Sequence, residues 1–142
     1  MPVVKTSMEI TDIDIDVLWK NISAFDRYPN FMDDVLEVTC DSDENGPTSA
    51  WTVMLNGSEL SWIERDEFHP PEKIVFEQIE GDVDVYKGTW EIDYNEAERK
   101  AVVTLETEFD LGIPSLADML NPMGIEAIKN NSAKMLSAIQ NM

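Results

Sequence analysis

Glu59-Leu60-Ser61-Trp62-Ile63-Glu64-Arg65-Asp66-Glu67-Phe68 alternates with a period of two, the mark of a strand with one wet and one dry face. Residues two apart on a strand point the same way. Ser61, Ile63, Arg65 and Glu67 form the solvent row, whereas Leu60, Trp62 and Phe68 mark the dry row. Glu64 and Asp66 fall among the dry residues, so two carboxylates are expected on the core side unless a bulge turns them outward.

Outward from this strand, alternation continues over Val35–Cys40, Ser49–Leu55, Lys73–Ile79, Val83–Ile92 and Ala101–Phe109. The breaks carry Asn45-Gly46-Pro47, Asn56-Gly57, Pro70-Pro71, Gly81-Asp82 and Asn95-Glu96. Asn-Gly tolerates the positive φ of a tight hairpin turn, so these strands are expected to form an antiparallel meander. Val3–Ile10 reads as one more strand. Thr11-Asp12 then offers caps for a short helix spaced by Ile15, Leu18, Trp19 and Ile22, and a second helical turn over about Ala24 to Met32 is limited by Pro29. Beyond Pro114 the period becomes helical, with Pro122 placed to open a helix running to about Gln140. At 1.5 Å per residue it would extend roughly 28 Å and cross the sheet. The fold class is α+β: a curved antiparallel sheet of about seven strands against a long C-terminal helix, with two short helices after strand 1. Residues 1–142 are read as one ligand-binding domain, since no repeat or long linker interrupts them.

Other dry rows also carry polar groups. Tyr86, Gly88, Trp90 and Ile92 share a face with Asp84; Ile74 and Phe76 share one with Gln78; Val103, Leu105 and Phe109 are joined by Thr107. On the long helix Ile125, Ile128, Met135 and Ile139 form a stripe that includes Asn131. An unpaired buried polar group costs on the order of 1–3 kcal/mol, and a charge more. Such groups must pair or line a cavity, and aromatics with a few convergent polar groups are what small-molecule sites contain. Gly88, between Tyr86 and Trp90, would widen the floor of that cavity.

Composition narrows the partners. The 142 residues are enough to bury roughly 68–70% of the unfolded surface. With 29 acidic residues against 10 Lys plus Arg, the charge of −19 repels nucleic acid, anionic membrane and acidic carrier proteins. The single Cys40 and single His69 disfavour disulfides, thiolate clusters, Ser-His-Asp chemistry and multi-histidine metal sites. No leader-like segment and no long apolar run is found, so a cytoplasmic location is expected.

Leu18-Trp19, Ala24-Phe25-Asp26-Arg27-Tyr28-Pro29 followed by Phe31-Met32, Trp62-Ile63-Glu64-Arg65, Tyr86-x-Gly88-x-Trp90 and Glu108-Phe109-Asp110 occur in an order that resembles the helix-grip (START-like) superfamily. Within it the chain is similar to the polyketide cyclase/dehydrase family, the aromatase/cyclases. That resemblance implies an interior cavity for a poly-β-ketone or related hydrophobic intermediate, cyclisation and dehydration without a cofactor, and a place in secondary metabolism such as antibiotic biosynthesis. Polyketide-synthase components become candidate partners beside the small hydrophobic substrate. By the same resemblance Tyr28, Met32, Trp62, Tyr86, Trp90 and Asn131 would line the pocket, and Gln78, Phe109 and Met135 are added as substrate-binding candidates. The chain departs from the family where cyclases tend to carry a Ser and an Arg on the tryptophan's face. It has Glu64 and Asp66 there, and Arg65 on the other face.

Aldol closure needs a base for a proton α to a carbonyl, a donor for the enolate oxygen, and an acid for the departing hydroxyl. Apolar surroundings raise a carboxyl pKa and two close carboxylates push each other's apart, so Glu64 and Asp66 suit base and acid. Tyr86 is the candidate donor, and Arg65, if inward, would hold a carboxylate or enolate. The same residues also suit a carrier that binds a hydrophobic ligand unchanged, or an interaction module with an ordinary aromatic core.

Overall fold

Where the sequence alternates, the chain extends. The structure, a computed structural model, describes residues 3–30, 32–55, 58–110, and 133, 134, 136, 137 and 139. Its strands are β1 (Val3–Thr11), β2 (Val35–Asp43), β3 (Gly46–Leu55), β4 (Ser58–His69), β5 (Lys73–Gly81), β6 (Val85–Asn95) and β7 (Lys100–Asp110). They form one seven-stranded sheet in the order β1-β7-β6-β5-β4-β3-β2, every neighbouring pair antiparallel. The meander thus runs unbroken from β2 to β7, and β1 closes against the last strand. Leu55 pairs with Ser58, so residues 56 and 57, which lie outside the described residues, are the whole β3–β4 connection.

Helix α1 (Ile15–Ser23) starts three residues later than Thr11 suggests. β1 continues through Thr11, Asp12 turns the chain at φ 53°, and Asp14 is the cap, its side chain accepting from the Asp16 N–H. The second helical turn is a 3-10 helix over Phe25–Asn30. Pro29 supplies no N–H, which keeps this element short. Asp84 also departs from expectation: it precedes β6 and is exposed rather than joining the Tyr86 face.

Leu18 and Ile22 from α1, Phe25 and Tyr28 from the 3-10 helix, and the inner rows of the strands form the core. Each such aliphatic side chain contributes roughly 1.5–3 kcal/mol on burial. Residues 133, 134, 136, 137 and 139 are helical, and Leu136 and Ile139 are buried in the same core. The end of the expected long helix therefore packs on the sheet; Ile125, Ile128, Asn131 and Met135 lie outside the described residues. Among the described residues no helix is long and apolar enough to cross a membrane.

Candidate functional site

The pairing of β3 with β4 sets Trp51 opposite Trp62 and Ser49 opposite Glu64. The two indoles stack, with ring centroids 5.8 Å apart and planes 3° apart. One alternation further along β4, Asp66 lies opposite Phe76 of β5. Glu64 is 3% exposed and Asp66 2%, so both acids point into the core. A bulge does fall beside them, but on β5: Ile63 pairs with Glu80 and Glu64 with Gln78, leaving Ile79 as the extra, exposed residue. The alternation of β4 survives because the irregularity sits on its partner.

Each acid receives a donor from a neighbouring side chain. The Trp62 indole N–H donates to Glu64 Oε1 at 2.7 Å. The Ser49 hydroxyl donates to Asp66 Oδ2 at 2.5 Å and itself accepts the Trp51 indole N–H at 2.7 Å. Asp66 Oδ1 and Thr107 Oγ1 are buried with no protein partner at full hydrogen-bond geometry. Burial, and then the adjoining Asp66, push the Glu64 carboxyl well above the usual carboxylate range. Burial also raises Asp66, opposed by hydrogen bonds from Glu64 and Ser49 and by the Arg65 charge. Two carboxylates held this way do not both ionise readily.

Tyr86 packs its ring on Trp62, with centroids 4.7 Å apart. Burial and the nearby Glu64 raise its hydroxyl above the ordinary tyrosine value, so it remains a donor across the physiological range. A cleft of about 20 Å³ lies between these groups, lined by Trp51, Val53, Trp62, Glu64, Phe76, Tyr86, Trp90 and Leu105. That is room for roughly one water molecule. Chemically the site offers two neighbouring buried carboxyls, a phenol donor and aromatic walls.

Residues 11–136 match the family described as polyketide cyclase/dehydrase and lipid transport. The chain belongs to that family. Among solved structures it is similar to a protein of Thermus thermophilus (TM-score 0.87, 20% identity, 99% of this chain and 95% of that one). It is also similar to the Zhui aromatase/cyclase of Streptomyces sp. R1128 (TM-score 0.81, 16% identity, 99% and 92%). A START superfamily protein of Mycobacterium smegmatis follows (TM-score 0.77, 16% identity, 98% and 94%). At these identities the likeness is one of fold, the helix-grip fold. No curated protein matches the chain.

Against this cyclase-family frame the candidate residues divide. Glu64, Trp62, Tyr86 and Trp90 border the cleft, with Asp66 beside Glu64. Tyr28 and Met32 are buried core residues. Tyr28 stands behind the cleft, its ring 5.6 Å from Trp51 and 6.4 Å from Trp90, and its hydroxyl donates to the Ile22 carbonyl. Phe109 is buried with Val4 and backs Tyr86. Gln78 donates to the Val83 carbonyl at 2.6 Å, which ties down the β5–β6 turn. Arg65 faces outward and forms a two-pronged pair with Asp43, at 2.9 and 2.7 Å, so it holds no group inside. Asn131 and Met135 lie outside the described residues. Gly88 does not widen the floor: the space of its missing side chain is taken by the Glu106 carbonyl, 1.9 Å from an ideal Cβ, and by the Phe76 ring at 2.9 Å.

Ser49, Trp51, Val53 and Leu105 are site residues that the faces of the β4 strand alone do not reveal. Ser49, Trp51 and Val53 share one face of β3 by the same period of two, which is the signal that finds them.

Proposed function

We propose that the protein takes a poly-β-ketone or related hydrophobic intermediate into its interior and promotes ring closure and dehydration, without a cofactor, through Glu64 and Asp66. The observation that carries this reading is a buried acid pair of which one member, Glu64, lines an aromatic cleft. The ionised acid takes a proton from a carbon between two carbonyls, and the resulting enolate carbon attacks a carbonyl further along the chain. The protonated acid gives its proton to the new alkoxide. In dehydration the hydroxyl leaves as water, with one proton from the acid and one carbon-bound proton passing to the base. Only protons move between protein and substrate, so the step needs no redox partner. Tyr86 is the donor to the enolate oxygen. Trp62 and Trp90 offer flat apolar walls to a conjugated chain. The cleft must widen for such a ligand.

The outward Arg65 favours a second reading, a carrier that binds without turnover, because the inner face of β4 lacks a cation to hold an enolate. The E64Q and D66N variants decide between them. Offered a reactive poly-β-ketone thioester mimic, the wild type should change the product profile relative to the spontaneous reaction. Each amide variant should bind with similar affinity and lose at least about 100-fold in rate, the usual scale of general acid–base catalysis. Full activity in both variants would remove the mechanism, and an unchanged product profile in the wild type would leave the carrier.

A further inference from the structure

We infer that Ser49, itself oriented by Trp51, is a positioning residue that fixes the division of labour in the acid pair: it holds Asp66 as the carboxylate and leaves the proton on Glu64. The assignment of catalytic roles, Asp66 as base and Glu64 as acid, rests on the reading of the site as a cyclase; the proton placement does not.

The directions of the hydrogen bonds carry the inference. An indole N–H donates and cannot accept, so Ser49 Oγ accepts from Trp51 and its one hydrogen is free for Asp66 Oδ2. A hydroxyl that accepts one bond donates a stronger one, and the Ser49–Asp66 contact, at 2.5 Å, has the length of a hydroxyl donating to an ionised carboxylate. The remaining oxygen of Asp66, Oδ1, is buried with no hydrogen-bond partner among the described residues, and Glu64 is the next residue on the same inner face of β4. A proton on Glu64, directed at that oxygen, would complete the chain: Trp51 to Ser49 to Asp66 on one side, Trp62 to Glu64 to Asp66 on the other. The charged groups around the pair favour the same placement. Arg65, on the opposite face of β4, stabilises negative charge on Asp66. Among the described residues, Tyr28 from the 3-10 helix, Tyr86 from β6 and Cys40 from β2 are the other titratable groups that interact with the pair, and all three have raised values that keep them neutral.

In the proposed reaction the proton then travels one way. Asp66 gains the substrate's carbon-bound proton as Glu64 loses its own to the alkoxide, and the pair returns to its starting state by passing one proton from Asp66 to Glu64 directly across their contact. Atoms and charges balance without an outside base.

The test is a pH titration of the two side-chain carboxyls by carbon-13 NMR in the whole protein, comparing wild type with S49A, S49T and W51F. In the wild type Asp66 should ionise first and Glu64 stay protonated well above the ordinary carboxylate range. S49A should raise the Asp66 midpoint by about one pH unit or more, W51F should shift it the same way by less, and S49T, which keeps the hydroxyl, should restore it. Glu64 ionising first in the wild type would overturn the inference. So would an Asp66 midpoint unchanged in W51F and in folded S49A. Should S49A not fold, the wild-type order and W51F still decide. A wild type with no cyclase activity would defeat the functional reading and leave this titration valid.

Discussion

Trp62 and Ser49 each bring one hydrogen-bond donor to an acid shielded from solvent, and that arrangement makes the pair tolerable inside an aromatic core. It still has a cost that depends on pH. In the unfolded chain both acids titrate near about 4, whereas in the folded chain burial raises both. A group that binds its proton more tightly when folded contributes stability that is fully present below the unfolded pKa and lost as pH rises through the folded value. Unfolding free energy should therefore fall as pH rises above the unfolded carboxylate value of about 4, partly through Glu64. The E64Q variant keeps a neutral hydrogen-bonding group and cannot ionise. Denaturant titrations across that range should show its stability declining by at least about 1 kcal/mol less than the wild type's. Parallel pH profiles would mean that Glu64 ionises in the folded chain as it does in water.

At the scale of elements, the sheet depends on places where one backbone approaches another too closely for a side chain. Gly88 of β6 is the sharpest, since a Cβ there would meet the Glu106 carbonyl of β7 at 1.9 Å. The G88A variant should lose about 1–3 kcal/mol of stability through the forced separation of β6 and β7, read as a lower urea midpoint. An unchanged midpoint would show that the two strands shift apart freely. The same positions mark the boundary of what the sequence discloses. The strands and the inward direction of Glu64 and Asp66 are legible because alternation is local: each residue's face follows from its neighbours two away. Gly88 reads as open floor in the sequence because the Glu106 carbonyl and the Phe76 ring that fill its space arrive from other strands. Ser49 takes its inward face from the alternation of β3, but its bond to Asp66 is hidden for the same reason, since it is made across the β3–β4 pairing. The bulge at Ile79 likewise belongs to a pairing of two strands and leaves no mark on either one alone.

For the whole molecule, an acidic exterior surrounds an interior whose described acids meet neutral donors instead of cations. A charge of −19 should repel anionic surfaces and acidic carrier proteins at low salt, and binding to an acidic carrier protein that weakens as salt rises would contradict that expectation. Leu136 and Ile139 pack on the same core that α1 and the 3-10 helix cover, and the cleft, lined by side chains of β3 to β7, is small. A ligand the size of a cyclised polyketide fits only if that interior opens, and the central claim is that it opens at Glu64 and Asp66. A crystal structure with a stable aromatic polyketide mimic tests this directly. The ligand should lie stacked on Trp62, with a ring oxygen within about 3 Å of Glu64 or Asp66. A ligand seated elsewhere, with the two acids still closed upon each other and the cleft unchanged, would contradict it.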